Sequence, residues 1–243
     1  MEATTESCRW LHEQLEFLGR AFRYGFSPES LPRNGIYFFY EDGETWGHGG
    51  DARPHIVRIG THRDGNFRSR MSEHFLLNES SAMDFDEKRS RPHDRSIFRK
   101  NIGRALLARD GDPYLEVWNS DLIKDANKER YRALRDVQKE KRLESEVTKI
   151  LRKQFSFRFL VVADEAARMG KSGLESRLIG TVAQCGKCKP SSNWLGLHSP
   201  EKRIREGRLW QVQHLNSPPI SDADRERIES AVAATMEWSK SSR

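Results

Sequence analysis

The clearest pattern of apolar and polar segments lies between residues 34 and 75. Two apolar runs, residues 35–40 and 56–61, are rich in aromatic and β-branched side chains, as β-strands are. A polar, glycine-rich insert over residues 41–54 separates the two runs, and a turn at residues 63–65 follows the second. This order predicts a β-hairpin that leads into a helix over residues 66–75, and the insert has the composition of a mobile loop.

The predicted helix carries two stripes of side chains. Every fourth residue is apolar, at Phe67, Met71 and Phe75, and Arg70 and His74 lie one turn apart on the adjacent face. A guanidinium binds phosphate through planar, charge-assisted hydrogen bonds, and an imidazole donates or accepts a proton near neutral pH. The pair therefore suits phosphate chemistry, although spacing alone favours an ordinary solvated helix face.

Periodicity elsewhere predicts the remaining elements. We expect helices near residues 5–22, from residue 93 onwards, and over 130–154, 174–185 and 221–239, with a third strand within 155–163 and a short strand within 209–214. The fold class is α/β (α+β), a small, mainly antiparallel, three-stranded central sheet flanked by helices. We expect a core over residues 34–165, with helical additions over residues 1–33 and 166–243.

Composition constrains the partners and the compartment. The chain carries a net charge of +6, which is compatible with a polyanionic partner, although acidic residues are abundant too. No apolar run approaches the roughly 20 residues that span a bilayer, so we expect no membrane partner. The polar N-terminus is unlike a secretory signal, and three cysteines do not suggest a disulfide scaffold. These features predict a cytoplasmic protein and leave its oligomeric state open.

Two of the cysteines, Cys185 and Cys188, form a single Cys-x-x-Cys pair. A structural zinc site needs four ligands, and only His198 and His214 follow the pair along the chain. The sequence therefore favours neither a metal role nor a redox role for this pair.

Three short motifs together resemble the core of the GIY-YIG nuclease superfamily. They are Gly35-Ile36-Tyr37, then Arg58-Ile59-Gly60, then Asn66-Phe67-x-x-Arg70-Met71-x-x-His74. The superfamily includes phage homing endonucleases, some restriction enzymes and the incision subunit of bacterial excision repair. Further along the chain, residues 194–196 and 204–210 resemble the tail of a bacterial subgroup of GIY-YIG domain proteins.

The resemblance implies a metal-dependent endonuclease that hydrolyses DNA with one Mg²⁺ (or Mn²⁺) ion. It implies that Tyr37 orients or deprotonates the attacking water, that Arg70 holds the scissile phosphate and that His74 supports Tyr37. The family binds its metal through a glutamate on a helix at this point in the chain order. The local context Leu-Glu-x-x-Val favours Glu144 as that ligand, with Glu146 as the alternative.

The sequence departs from the family pattern in its second tripeptide. Arg58 stands where the family usually has tyrosine, and a guanidinium does not deprotonate at neutral pH, so we expect Arg58 to bind phosphate. His62, two residues past Gly60, is the candidate for the missing proton-transfer role. The usual asparagine after the metal glutamate has no clear counterpart. These gaps leave an alternative function, a catalytically degenerate GIY-YIG-like nucleic-acid-binding module.

A second basic segment is the predicted helix that begins at His93. This histidine is similar in placement to a functional histidine of homing-type members, and a surface histidine in a loop is the alternative. We expect the basic side chains of this helix to stay in solvent and to bind phosphate. The expected DNA contacts are Arg58, Arg70, Arg95, Arg99 and Lys100.

Overall fold

The computed structural model describes residues 2–47, 53–120, 122, 125–170 and 172–241. Its strands are β1 (Phe22–Arg23), β2 (Ile36–Trp46), β3 (Arg53–Gly60) and β4 (Phe155–Leu160). Its α-helices are α1 (Glu2–Glu16), α2 (Phe67–Phe75), α3 (Glu79–Ala82), α4 (Pro92–Arg95), α5 (Ile97–Arg109), α6 (Leu115–Asn119), α7 (Asp125–Arg132), α8 (Val137–Gln154), α9 (Glu165–Arg168), α10 (Leu174–Ala183), α11 (Lys202–Gly207) and α12 (Asp222–Ser241). Two short 3-10 helices lie at Pro28–Ser30 and Leu195–His198.

The strands form one antiparallel sheet in the order β1-β4-β2-β3. The predicted mixed α/β class is confirmed, but the predicted count of three strands is wrong. The strand that the sequence did not predict is β1, which is only two residues long and pairs with β4 through Phe22 and Phe157. A strand of two residues is too short to show an alternating pattern, and its Phe22 instead continued the apolar stripe of the N-terminal helix. That helix ends earlier, at Glu16.

Both faces of the sheet are covered by helices. Tyr37 and Phe39 of β2 point into one core, which α2, α5 and α8 complete. Ile36 and Phe38 point into the other core, which α1, α10 and α12 complete. Because β2 is buried on both faces, it appears in the sequence as a continuous apolar run rather than as an alternation.

Two predicted elements differ in the structure. The charged segment predicted as one helix over residues 130–154 is two helices, α7 and α8, and Asp136 caps the second by accepting a hydrogen bond from the Lys139 N–H at 2.9 Å. An aspartate within a charged run gives no apolar signal that would distinguish a cap from helix interior. The predicted strand over residues 209–214 is also wrong. There, the Trp210 N–H donates to the Val57 carbonyl and covers the edge of β3.

The glycine-rich insert is mostly strand. β2 continues to Trp46 and β3 begins at Arg53, so only residues 47–52 join them. The mobile loop predicted over residues 41–54 is therefore strand at both ends, and its residues 48–52 lie outside the described residues. Among the helices that the structure describes, none is long and apolar enough to cross a membrane.

Candidate active site

Tyr37 and His74 meet at the junction of β2 and α2. The Tyr37 Oη lies 3.2 Å from the His74 Nε2, and the His74 Nδ1 lies 2.9 Å from the hydroxyl of Ser96. Ser96 is also the N-cap of α5, where its oxygen accepts from the Arg99 N–H. The strand therefore supplies the phenol, the helix supplies the imidazole, and the cap of a second helix fixes the imidazole ring.

Gly60 makes room for the phenol. It pairs with Tyr37 across β2 and β3, and the Tyr37 ring lies directly against its backbone. A Cβ atom at position 60 would overlap the ring and its hydroxyl oxygen. Glycine in a strand interior often marks such a close approach, and here it sets where the hydroxyl lies.

Two arginines lie beside the phenol. Arg58, 7% exposed, donates to the Trp210 carbonyl at 2.5 Å and lies 4.8 Å above the Phe98 ring, and its charge acts on Tyr37. Arg70 donates from Nη1 to a Glu73 carboxylate oxygen at 2.8 Å and to the Arg95 carbonyl at 2.9 Å. Its side chain is 36% exposed, so Arg70 can meet a phosphate from solvent.

Burial and these charges determine the protonation of the site. Burial raises the pKa of Tyr37, and the charges of Arg58 and Arg70 oppose that rise. Burial also lowers the pKa of His74 well below its usual value, and the positive charges of Arg58, Arg70 and Arg99 lower it further. At neutral pH the site therefore holds a protonated phenol against a neutral imidazole, which donates through one ring nitrogen and accepts through the other.

Glu144, the predicted metal ligand, lies inside the protein. One carboxylate oxygen accepts from the His93 N–H and from the His93 Nδ1, both at 2.8 Å. The other accepts from the Arg99 Nε at 3.1 Å and Nη2 at 2.6 Å. Burial acts to raise the pKa of Glu144, but the Arg99 charge and the His93 hydrogen bond outweigh it and lower the pKa to about 2. The alternative, Glu146, is exposed on the same helix.

Three of the five predicted DNA contacts, Arg58, Arg99 and Lys100, are buried as well. The expectation that Arg99 and Lys100 stay in solvent is wrong, because they are 0% and 7% exposed. Arg99 reaches from α5 to the Glu144 carboxylate and to the His74 carbonyl, and the Lys100 Nζ donates to the Ser120 carbonyl at 3.0 Å. In the same segment, Arg95 lies at the surface with 69% of its side chain exposed, and it forms an ion pair with Glu73.

The two further histidines of the prediction are buried and engaged. The His62 Nε2 accepts from the Gly35 N–H at 3.2 Å, and its Nδ1 lies 2.6 Å from the Arg63 carbonyl oxygen. His93 does not lie in a surface loop. It lies within α4, where it is hydrogen-bonded to Glu144, and its ring stacks on that of Trp118 with the centroids 3.6 Å apart. In this structure both imidazoles have positioning contacts rather than an open path to solvent.

Glu175 is the acidic residue near Tyr37 that the sequence did not single out. It lies in the first turn of α10, and one carboxylate oxygen accepts from the Thr61 N–H at 3.2 Å. It lines a cavity of about 250 Å³ with Arg58 and His214, and its charge acts on Tyr37. Burial raises its pKa, while His214 and Arg58 oppose that rise. A glutamate in the first turn of a helix is common, so the sequence carried no signal for it.

The two carboxylates differ in their fit to a divalent metal. Magnesium binds through one or two carboxylates and keeps several water molecules in near-octahedral geometry. Glu144 does not fit as it stands, because both oxygens are held by Arg99 and His93 and no solvent reaches them. Glu175 fits better, because it is only partly buried and borders a cavity with room for water molecules.

A family model described as a GIY-YIG domain matches residues 13–237. The match includes the end of α1 and most of α12, so it extends on both sides of residues 34–165. The division into a core with two additions stays a prediction. No curated protein and no solved structure matches the chain.

Proposed function

Since the chain belongs to the GIY-YIG domain family, whose members are typically endonucleases, we propose that it is a metal-dependent endonuclease that hydrolyses phosphodiester bonds in DNA. The observation that carries this proposal is the contact between the Tyr37 phenol and the His74 imidazole, with the Arg58 and Arg70 guanidinium groups beside it. The three motifs that suggested the family thus meet at one point of the fold.

Each of these groups has a role in the proposed reaction. Arg70, the more exposed of the two cations, binds the scissile phosphate and stabilises the charge that develops on its oxygens. Arg58 occupies the position of the usual second tyrosine and adds a second positive charge near the same phosphate. The Tyr37 hydroxyl orients the attacking water and exchanges a proton with it, while His74, held by Ser96, receives or returns that proton.

The proposal includes a metal because divalent ions are typical of GIY-YIG nucleases. We propose Glu175 as the carboxylate that holds the ion, and we keep Glu144 as the alternative that the family order favours. A bound Mg²⁺ or Mn²⁺ supplies charge neutralisation at the phosphate and at the leaving oxygen. With Glu175 in that role, Glu144 acts through Arg99, which donates to the His74 carbonyl at 3.1 Å and so holds the end of α2 in place.

A plasmid-nicking assay in Mg²⁺ and in Mn²⁺ tests the proposal. We expect wild type to cut and Arg70→Ala to cut about 100-fold more slowly, as for loss of one transition-state donor. Glu175→Gln is expected to lose cleavage while its free energy of unfolding stays near that of wild type. Arg9→Ala is the matched control, because Arg9 is an exposed arginine on α1, across the sheet from the site. A wild type that never cuts, or an Arg70→Ala variant that cuts equally well, refutes the enzyme proposal.

The second candidate is a nucleic-acid-binding module without catalysis. It is favoured by the arginine at position 58 and by the saturated carboxylate of Glu144. Such a module binds DNA with a steep dependence on salt, because each phosphate contact releases condensed counterions. DNA binding with that dependence, and no cleavage in either metal, supports the module over the enzyme.

A further inference from the structure

The three cysteines of the chain meet at one buried point, across the sheet from Tyr37. Cys8 lies on α1, and Cys185 and Cys188 follow α10. The Cys8 and Cys188 sulfurs are 3.6 Å apart, and all three sulfurs lie within 4.8 Å of one another. Each of the three side chains is at most 2% exposed. The Cys-x-x-Cys pair therefore has a third thiol beside it that comes from 177 residues earlier in the chain.

Two imidazoles lie beside the thiols. His12 is one helical turn after Cys8, with its Nδ1 at 3.7 Å from the Cys8 sulfur, and His55 comes from β3. Ligand atoms of His12, His55 and Cys188 lie within 4.8 Å of one another, and the two rings stack with centroids 5.8 Å apart. Two histidines thus border the site where a fourth ligand would stand.

We propose that Cys8, Cys185 and Cys188, with one imidazole of the His12 and His55 pair, bind a structural zinc ion. Zinc in proteins is tetrahedral with Zn–S bonds of about 2.3 Å, which separates two sulfur ligands by about 3.8 Å. The Cys8 to Cys188 distance of 3.6 Å agrees with that separation. The site is buried, and four protein ligands leave no open coordination position, so its role is structural.

The chemistry of the donors favours zinc over other occupants. Thiolates and imidazoles prefer borderline and soft metals, whereas magnesium and calcium prefer oxygen. An iron–sulfur cluster is usually held by four cysteines, and the chain has three. A disulfide would use only two of the sulfurs and would leave the third thiol and both imidazoles without a common role.

A cation lies beside the Cys-x-x-Cys turn. The Arg208 guanidinium donates to the carbonyl oxygens of Cys185 at 3.2 Å and Cys188 at 2.5 Å. Three thiolates and one neutral imidazole around Zn²⁺ carry a net charge of −1, and Arg208 places a positive charge beside it. Such outer contacts orient metal ligands.

The His12 ring is held as ligating imidazoles commonly are. Its Nδ1 lies 2.8 Å from the Cys8 carbonyl oxygen and donates to it, which leaves the lone pair on Nε2. That lone pair accepts from the Ile56 N–H at 3.3 Å, a long hydrogen bond that a metal can replace. His55 is the other candidate, and mutagenesis distinguishes the two.

The ion would join parts of the fold that are distant in sequence. It would tie α1 to the segment that follows α10, and with His55 as the fourth ligand it would also tie both to strand β3. Zinc binding of this kind contributes to folding, because the ligands are not assembled in the unfolded chain. The proposal does not depend on the proposed nuclease function.

Metal content and cobalt spectroscopy of the full chain test the proposal without any substitution. We expect about one zinc ion per chain after purification in buffers without added metal, measured by inductively coupled plasma mass spectrometry. Replacement by Co²⁺ is expected to produce the visible bands of tetrahedral cobalt and a thiolate-to-cobalt charge-transfer band. A chain that purifies without zinc and gives no charge-transfer band with Co²⁺ overturns the proposal.

Variants then identify the ligands. Cys185→Ser is expected to lose the zinc and the charge-transfer band, and one of His12→Ala and His55→Ala is expected to lower zinc affinity 10-fold or more. His198→Ala is the matched control, because His198 is exposed and outside the cluster. If Cys185→Ser fails to fold, the melting temperature of wild type gives the same answer. A chelator should lower it, and Zn²⁺ but not Mg²⁺ should restore it. Full zinc retention in both histidine variants overturns the imidazole ligand.

Discussion

Replacing Glu144 with alanine would leave the Arg99 guanidinium buried without its counter-charge. Both side chains are completely buried, and the Arg99 Nη2 lies 2.6 Å from the carboxylate. Removing one partner of a buried ion pair costs about 3–5 kcal/mol, because the remaining charge stays desolvated. A domain has about 5–15 kcal/mol of stability in total, so the variant is expected to fold and to unfold at much lower denaturant.

The pKa of Glu144 gives a second route to the same magnitude. Its folded value of about 2 lies below the ordinary 4.5, and a difference of that size corresponds to about 3 kcal/mol. Because the folded pKa is the lower one, this stabilisation is fully present above pH 4.5 and is lost as the pH falls towards 2. The wild type should therefore lose stability over this acid range, and Glu144→Ala should lose less over the same range.

Urea unfolding followed by tryptophan fluorescence, at pH 7 and at pH 3.5, measures both effects. Glu146→Ala is the matched control, because Glu146 is exposed on the same helix and its loss should change stability by no more than about 0.5 kcal/mol. A loss below about 1 kcal/mol for Glu144→Ala at pH 7 would refute the buried ion pair as described. If such a variant also lost cleavage in Mg²⁺, Glu144 rather than Glu175 would be the metal ligand.

Two further predictions concern the strands of the sheet. Gly60→Ala is expected to lower nicking activity strongly and to cost about 1–3 kcal/mol of stability in urea unfolding, because its Cβ would overlap the Tyr37 ring; unchanged activity contradicts this. Glu41 accepts from the indole N–H groups of Trp194 and Trp210, and burial raises its pKa to about 7. Because the folded pKa lies above the ordinary one, wild type should lose about 3 kcal/mol as the pH rises from 4.5 through 7, and Glu41→Gln should abolish that loss in melting curves at pH 5 and pH 8.

The sequence by itself determined the local elements around the site. The hairpin and α2 follow from patterns that repeat within ten residues, and the spacing of Arg70 and His74 follows from the pitch of one helix. Tyr37 could be singled out for the same reason, since its motif lies within one strand. The family itself followed from these short motifs, and the family match confirms it.

The tertiary structure decided which charged groups face solvent. Arg99 and Lys100 lie on α5, a helix whose basic residues the sequence predicts to face solvent. In the structure both side chains are buried. A charged residue signals exposure only on average, because a buried partner such as Glu144 can hold it inside at a cost in desolvation. That partner lies 45 residues away in the chain, and no periodicity links the two positions.

The same reason applies to the cysteines. Along the chain, Cys185 and Cys188 are a pair with too few ligands after them, and the thiol and the imidazoles that lie close to them in the fold are those of Cys8, His12 and His55. Ligand sets form from residues that folding brings together, and distances along the chain do not encode that meeting. Local periodicity thus determined the elements, and only the packing of those elements decided which side chains share a site.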